Sequence, residues 1–209
     1  MLAATPGNQA GGFPWMEFRD VIEVNGKPVR DGRSRLAFLA SEPLDTAGAQ
    51  AVAVSQDAAA FLFGRLARAI DVPRAAVLFL HPANQSRVQF TKGGTRRIDG
   101  VQTIEVRFKE TGRPTIIRGS GDRDAPSSGS FWIDPRTGNV LMSILKSPDS
   151  STVFDELTIT YREEPATGLW LPAQLKERIV DDDAGLRVEA TATFTNWRVV
   201  TLKRTPTDD

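Results

Sequence analysis

The chain of 209 residues contains no cysteine, a single histidine and no long apolar run. The absence of cysteine excludes a disulfide framework and every thiolate metal site. No segment approaches the roughly 18 to 20 consecutive apolar residues that a transmembrane helix needs. The one histidine, His81, precedes Pro82 and no motif links it to a nucleophile, which favours a turn or surface role over that of a catalytic base.

Charge of neither sign is in excess, because 26 Lys and Arg residues balance 26 Asp and Glu residues. A balanced chain has no bulk field that attracts nucleic acid or an acidic membrane surface. We therefore expect no nucleic-acid partner and no transmembrane segment. A length of 209 residues favours one large domain over two small ones.

Motifs that carry catalysis or metal binding are few. Ser143 and Lys146 fit the spacing S-x-x-K, but that pair needs a helical turn, whereas the residues around it alternate with the period of a strand. The acids from Asp181 to Asp183 lack the spacing and the distal glutamate of a calcium loop. The sequence therefore predicts no enzyme, no catalytic residue, no metal site and no cofactor.

Alternation of apolar and polar residues dominates the chain from Gly129 to Val200. This period of two predicts long antiparallel strands with one apolar and one charged face. Glycine-ended turns separate the predicted strands at residues 134–138, 164–168 and 181–185.

Two upstream dipeptides are typical of tight hairpins. Asn25-Gly26 and Asp99-Gly100 both suit a type I′ turn, which requires positive φ at its two central residues. We therefore expect short-range strand pairing around each of them.

The pattern changes to the period of a helix between Ser41 and Ile70, where apolar residues recur every three or four positions. This segment predicts one long helix that ends before Pro73, and the following stretch AAVLFLHP suits either a strand or a final helical turn. A sheet of about nine or more strands with one apolar face must curl or be covered. The predicted fold class is therefore α+β, predominantly antiparallel β, with a curled multi-stranded sheet (a half-barrel) wrapped over one long helix.

The ends of the chain are rich in small and polar residues. Residues 1–12, which lack the basic and apolar segments of a signal peptide, are expected to be a disordered leader or a cut end. Residues 13–203 are expected to form the single domain, and residues 204–209 a flexible tail.

The phrase FWIDPRTGNVLMSIL is similar to a hairpin of the LolA-like proteins, whose half-barrel fold is shared by periplasmic lipoprotein carriers. The stretches MEFRDVIEVNGKPVRD, IDVP, LFLHPANQ and ITYREEPATGLWLPAQLKER together resemble uncharacterised exported bacterial proteins of acidobacterial type, over most of residues 15–200. Those proteins carry a signal peptide and a further N-terminal segment. The resemblance implies a periplasmic or otherwise exported protein, present here as a fragment or a shortened relative.

Two functions from different classes follow. The first is a non-enzymatic binding module of the cell envelope that holds a hydrophobic ligand, a lipid or a lipoprotein acyl chain, between sheet and helix. The residues expected to line that site are Phe18, Phe61, Phe108, Met142, Leu157, Ile159, Leu171 and Phe194. The alternative is a protein-interaction or scaffolding module in which the same side chains fill the core and no ligand is bound. Its contact surface is a sheet edge or the tryptophans at 132, 170 and 197, which otherwise serve as half-buried packing.

Overall fold

The computed structural model describes residues 2–4, 15–17, 23–24, 27–28, 75–119, 122–148, 153–195 and 197. The chain divides into two compact units, residues 1–66 with 200–209 and residues 67–199. The boundaries expected for a single domain over residues 13–203 stay a prediction.

The described residues of the first unit form two short antiparallel strand pairs. Its strands are β1 (Leu2–Ala4), β2 (Trp15–Glu17), β3 (Glu23–Val24) and β4 (Lys27–Pro28). β1 pairs with β2, and β3 pairs with β4 so that Val24 lies opposite Lys27. This register confirms the hairpin that was predicted from the dipeptide at residues 25–26.

The second unit is built on one seven-stranded antiparallel sheet with the order β13-β12-β11-β10-β9-β6-β5. Its strands are β5 (Val88–Ile98), β6 (Val101–Glu110), β9 (Ser128–Ile133), β10 (Val140–Pro148), β11 (Val153–Glu164), β12 (Leu169–Asp181) and β13 (Leu186–Thr193). A separate small pair, β7 (Arg118–Gly119) with β8 (Arg123–Asp124), lies in the connection between β6 and β9. Two 3-10 segments, η1 (Ala76–Leu80) and η2 (Pro82–Arg87), precede β5.

The turns between neighbouring strands have the backbone that their sequences predict. Asp99 and Gly100 both have positive φ, 46° and 81°, which confirms the two-residue hairpin between β5 and β6. The glycines that end the three later turns also have positive φ, at positions 138, 168 and 185. The local turn chemistry therefore fixes the up-and-down order of β9 to β13.

The register of the sheet defines two faces, because side chains that lie directly opposite on neighbouring strands share a face. The packed face carries Phe108, Phe131, Leu145, Leu157, Ile159 and Leu175, all of them buried. The polar face carries Lys109, Lys146, Glu156, Arg178 and Glu189. Most apolar side chains thus lie on one face and most charged side chains on the other, as the alternation predicts, although Trp132 and Met142 are buried on the polar face.

A short apolar segment covers part of the packed face. The ring of Phe79 in η1 stacks on Phe108 with centroids 4.7 Å apart, and Phe108 stacks on Phe131 at 5.0 Å. Phe79 and Phe131 are fully buried. Burial of side chains of this size contributes roughly 1.5–3 kcal/mol each, so this stack is a main support of the sheet.

The predicted fold class is wrong in its curl and in its helix, although the predominance of antiparallel strands is confirmed. The seven-stranded sheet is neither curled nor closed, and no helix of seven or more residues occurs among the described residues. The helix predicted from Ser41 to Ile70 lies outside the described residues. The helix is predicted from the apolar period between Ser41 and Ile70, and the curl from the need to cover an apolar face. Part of that face is instead covered by Phe79 of the 3-10 segment η1. This segment is the stretch AAVLFLHP, for which the sequence left strand and helical turn open.

Candidate functional site

The packed face is where the sequence placed a ligand, and the structure brings three of the predicted lining residues together there. Phe108, Leu157 and Ile159 lie on this face and are 3%, 0% and 0% exposed. Phe194 follows β13 at the margin of the same face, where its half-buried ring stacks on Trp197 with centroids 6.3 Å apart. These four residues share one surface of the sheet.

The other predicted lining residues lie elsewhere. Met142 is opposite Trp132, and Leu171 is opposite Arg162, so both side chains belong to the polar face. Phe18 and Phe61 lie outside the described residues. The ligand-lining role of all eight residues stays a prediction.

Two β-bulges explain why a uniform alternation misplaced the faces. The register of β9 and β10 shifts between Val140 and Met142, and that of β11 and β12 shifts between Thr160 and Tyr161. Each bulge inserts one residue, which reverses the face of every side chain beyond it. Leu175 therefore lies on the packed face although Leu171 does not.

A hydroxyl pair lies within the packed face. Ser143 Oγ and Tyr161 Oη are 3.1 Å apart, and both residues are buried. Burial raises the pKa of Tyr161 from 10.0 to about 12, while the hydrogen bond with Ser143 works in the opposite direction. Sequence reasoning missed this pair because both parities of the β10 sequence are apolar, so nothing marked Ser143 as inward-facing.

Two glutamates are also buried on the packed face. Glu110 Oε1 accepts a hydrogen bond from the Ile116 amide at 2.5 Å, and its Oε2 accepts one from the Ser127 amide at 3.1 Å. Glu177 is buried opposite Leu157. The sequence carried a signal for both, since each glutamate lies two residues beyond an apolar residue of the packed face.

The connection between β6 and β9 is held by Asp124. Its Oδ1 accepts a hydrogen bond from the Thr115 amide at 2.8 Å, and its carboxylate pairs with Arg113 and Arg118. The hydrogen bond from the Thr115 amide, together with the two arginines, lowers the pKa of Asp124. Arg113 and Arg118 are both already paired with an acid, so these contacts serve to stabilise the loop.

Among the described residues, the S-x-x-K pair and the histidine considered above have no common site. Ser143 lies on the packed face, whereas Lys146 lies on the polar face and its Nζ is 3.3 Å from Glu156 Oε2. His81 Nδ1 accepts a hydrogen bond from the Ala83 amide at 3.3 Å and caps η2. Across the described ranges, no three His, Cys, Asp or Glu side chains are grouped to hold a metal ion.

None of the helical segments described above is long and apolar enough to cross a membrane. The chain matches no protein-family model, and neither a curated protein nor a solved structure is significantly similar to it.

Proposed function

We propose that the second unit is a non-enzymatic interaction module of the bacterial cell envelope, which has a filled core and works through its surface. The observation that carries this proposal is the closure of the packed face at Phe108, Leu157 and Ile159. Its location in the envelope rests on the resemblance of the β9–β10 hairpin to that of exported carriers.

Closure of the face has a direct consequence for ligands. A side chain with no exposed area cannot be touched by a sphere the size of water, and an acyl chain is wider than that sphere. A lipid could reach Leu157 or Ile159 only if the side chains above them moved. Opening a core packed to ordinary protein density costs several kcal/mol because each displaced side chain loses its dispersion contacts.

A second candidate is binding of a hydrophobic ligand, a lipid or an acyl chain, at the margin of the packed face. The observation that favours it is the stack of half-buried Phe194 on Trp197, with half-buried Trp170 also packed against the core. Partly exposed aromatic rings are common in the walls of apolar ligand sites. This candidate needs no opening of the core.

Titration of the full chain with a fluorescent fatty acid distinguishes the two functions. We expect no saturable binding to the wild type. The control is Leu157→Ala, which removes a buried side chain and so creates an apolar cavity in the packed face for comparison with the filled face of the wild type. Saturable binding that is lost in Trp197→Ala would instead support the margin site. Saturable wild-type binding that Trp197→Ala leaves intact would contradict both functions.

A further inference from the structure

The two edge strands of the seven-stranded sheet differ in their suitability for pairing with an additional strand. Within the described ranges, β5 and β13 each have one neighbour. The register of β5 shifts between Lys92 and Thr95, and Arg96 and Arg97 beyond the bulge are exposed, as is usual for a protected edge. By contrast, β13 pairs with β12 in unbroken register over its whole length and contains neither proline nor glycine.

The backbone of β13 presents alternate residues outward. The amide of Phe194 donates to the Ala173 carbonyl at 2.9 Å, which makes this a hydrogen-bonded pair of the ladder with β12. Hydrogen-bonded and non-hydrogen-bonded pairs alternate along an antiparallel ladder. The even-numbered residues of β13 therefore bond to β12, and Arg187, Glu189 and Thr191 direct their N–H and C=O groups away from the sheet.

A row of alternating charge crosses the polar face and ends at this edge. Lys146, Glu156, Arg178 and Glu189 lie directly opposite one another on β10, β11, β12 and β13. The first pair is in contact, with Lys146 Nζ 3.3 Å from Glu156 Oε2. The row ends with Glu189, whose side chain is exposed at the outermost strand.

We propose that β13 pairs antiparallel with β13 of a second copy of this chain, with a two-fold axis at Val188. This register places Glu189 opposite the partner's Arg187 and, by symmetry, Arg187 opposite the partner's Glu189. The charge row then continues across the interface with the sign that its alternation requires, and the two sheets become one. The proposal rests on the proposed function, because it names the partner of that surface.

Other registers are less favourable. Only residues with outward backbone groups form hydrogen-bonded pairs, so the register shifts in steps of two residues. Each such step moves the two-fold axis by one residue along β13. An axis at Glu189 places two glutamates opposite each other, which is destabilising. An axis at Ala190 places Glu189 opposite the partner's Thr191 and leaves the charge row without a complement.

Sedimentation velocity of the full chain over a concentration series tests this dimer. We expect a reversible monomer–dimer equilibrium for the wild type. Glu189→Arg or Arg187→Glu places two like-charge pairs across the interface and should raise the dimer Kd about tenfold. The double variant Arg187→Glu with Glu189→Arg should restore the wild-type Kd. The matched control Glu156→Arg reverses a charge in the same row two strands from the edge and should leave Kd unchanged.

Hydrogen exchange of the wild type gives a second measurement that needs no variant to fold. We expect the amides of Arg187 and Glu189 to gain protection as concentration rises, whereas the amide of Thr193 does not. A monomer at every concentration would overturn the proposal, as would single variants without effect or a double variant that does not recover. A lipid found in the wild-type protein would overturn the filled core but leave the dimer standing, so the two failures are distinguishable.

Discussion

Gly129 lies directly across from Phe108 on the packed face, and the Phe108 ring occupies the space that a side chain at position 129 would need. A Cβ atom built at Gly129 is 2.7 Å from Phe108 Cε1 and also overlaps the backbone carbonyl of Ile144. The missing side chain therefore allows the phenylalanine stack to lie flat against β9.

Gly129→Ala should destabilise the protein by about 1–3 kcal/mol, because the new methyl group meets backbone that cannot move aside cheaply. Urea denaturation measures this change. The matched control is Gly94→Ala, where a Cβ meets nothing within 4 Å and the cost should be small. Equal effects of the two substitutions would contradict the close approach at Gly129.

Phe79→Ala tests whether η1 holds the packed face closed. Phe79 is fully buried and stacks on Phe108, so its truncation should cost roughly 3–5 kcal/mol. Leu169→Ala is the control, since Leu169 is 57% exposed and its truncation should change the free energy of unfolding by about 0.5 kcal/mol or less. A small effect of Phe79→Ala would mean that η1 is not part of the core.

Glu110→Gln tests the buried carboxylate that receives two backbone amides. The amide side chain keeps one acceptor oxygen but turns an N–H group toward the other donor, which leaves a buried N–H without an acceptor and costs roughly 1–3 kcal/mol. We expect faster hydrogen exchange at the amides of Ile116 and Ser127. Glu163→Gln, on an exposed side chain, is the control and should change neither the free energy of unfolding nor the hydrogen exchange of these amides.

Tyr161 provides a spectroscopic test of the same closed face, because it is the only tyrosine of the chain. Its pKa is raised from 10.0 to about 12 by burial, so the folded state holds this proton more tightly than the unfolded state does. The resulting stability is complete below pH 10 and is lost as the pH rises toward 12, by roughly 2–3 kcal/mol.

Tyrosinate absorbance should therefore appear near pH 12 in the folded protein and near pH 10 after denaturation. Tyr161→Phe should remove this part of the alkaline loss of stability. If Tyr161 of the folded wild type instead titrated near its ordinary pKa of 10.0, water would have to reach the pair of hydroxyls formed by Ser143 and Tyr161.

The strands from β9 to β13 and the turns between them could be predicted from the sequence because those features are local. Short stretches of sequence are enough to predict positive φ at Gly100 and at the later turn glycines. The same is true of the alternation between those turns. The faces were harder to predict, because a single bulge at Ala173 of β12, opposite Tyr161, reverses the face of Leu171 relative to Leu175, and no local pattern marks it. The cover by Phe79 depends on a contact between segments that are distant in the chain, which periodicity does not encode.

The buried hydroxyl pair was hidden for a related reason. Ser143 lies in a strand whose two parities are both apolar, so its partner Tyr161 could be found only from the pairing of β10 with β11. Glu110, in contrast, shares parity with Phe108, so alternation was a signal from which its inward orientation could have been predicted.

The most direct test of the central claim is native mass spectrometry of the full chain, exported from a bacterial host and purified without detergent. We expect only masses of one chain and of two chains, unchanged after extraction with organic solvent. An added mass that solvent extraction removes, and that is identified as a lipid, would contradict the filled core.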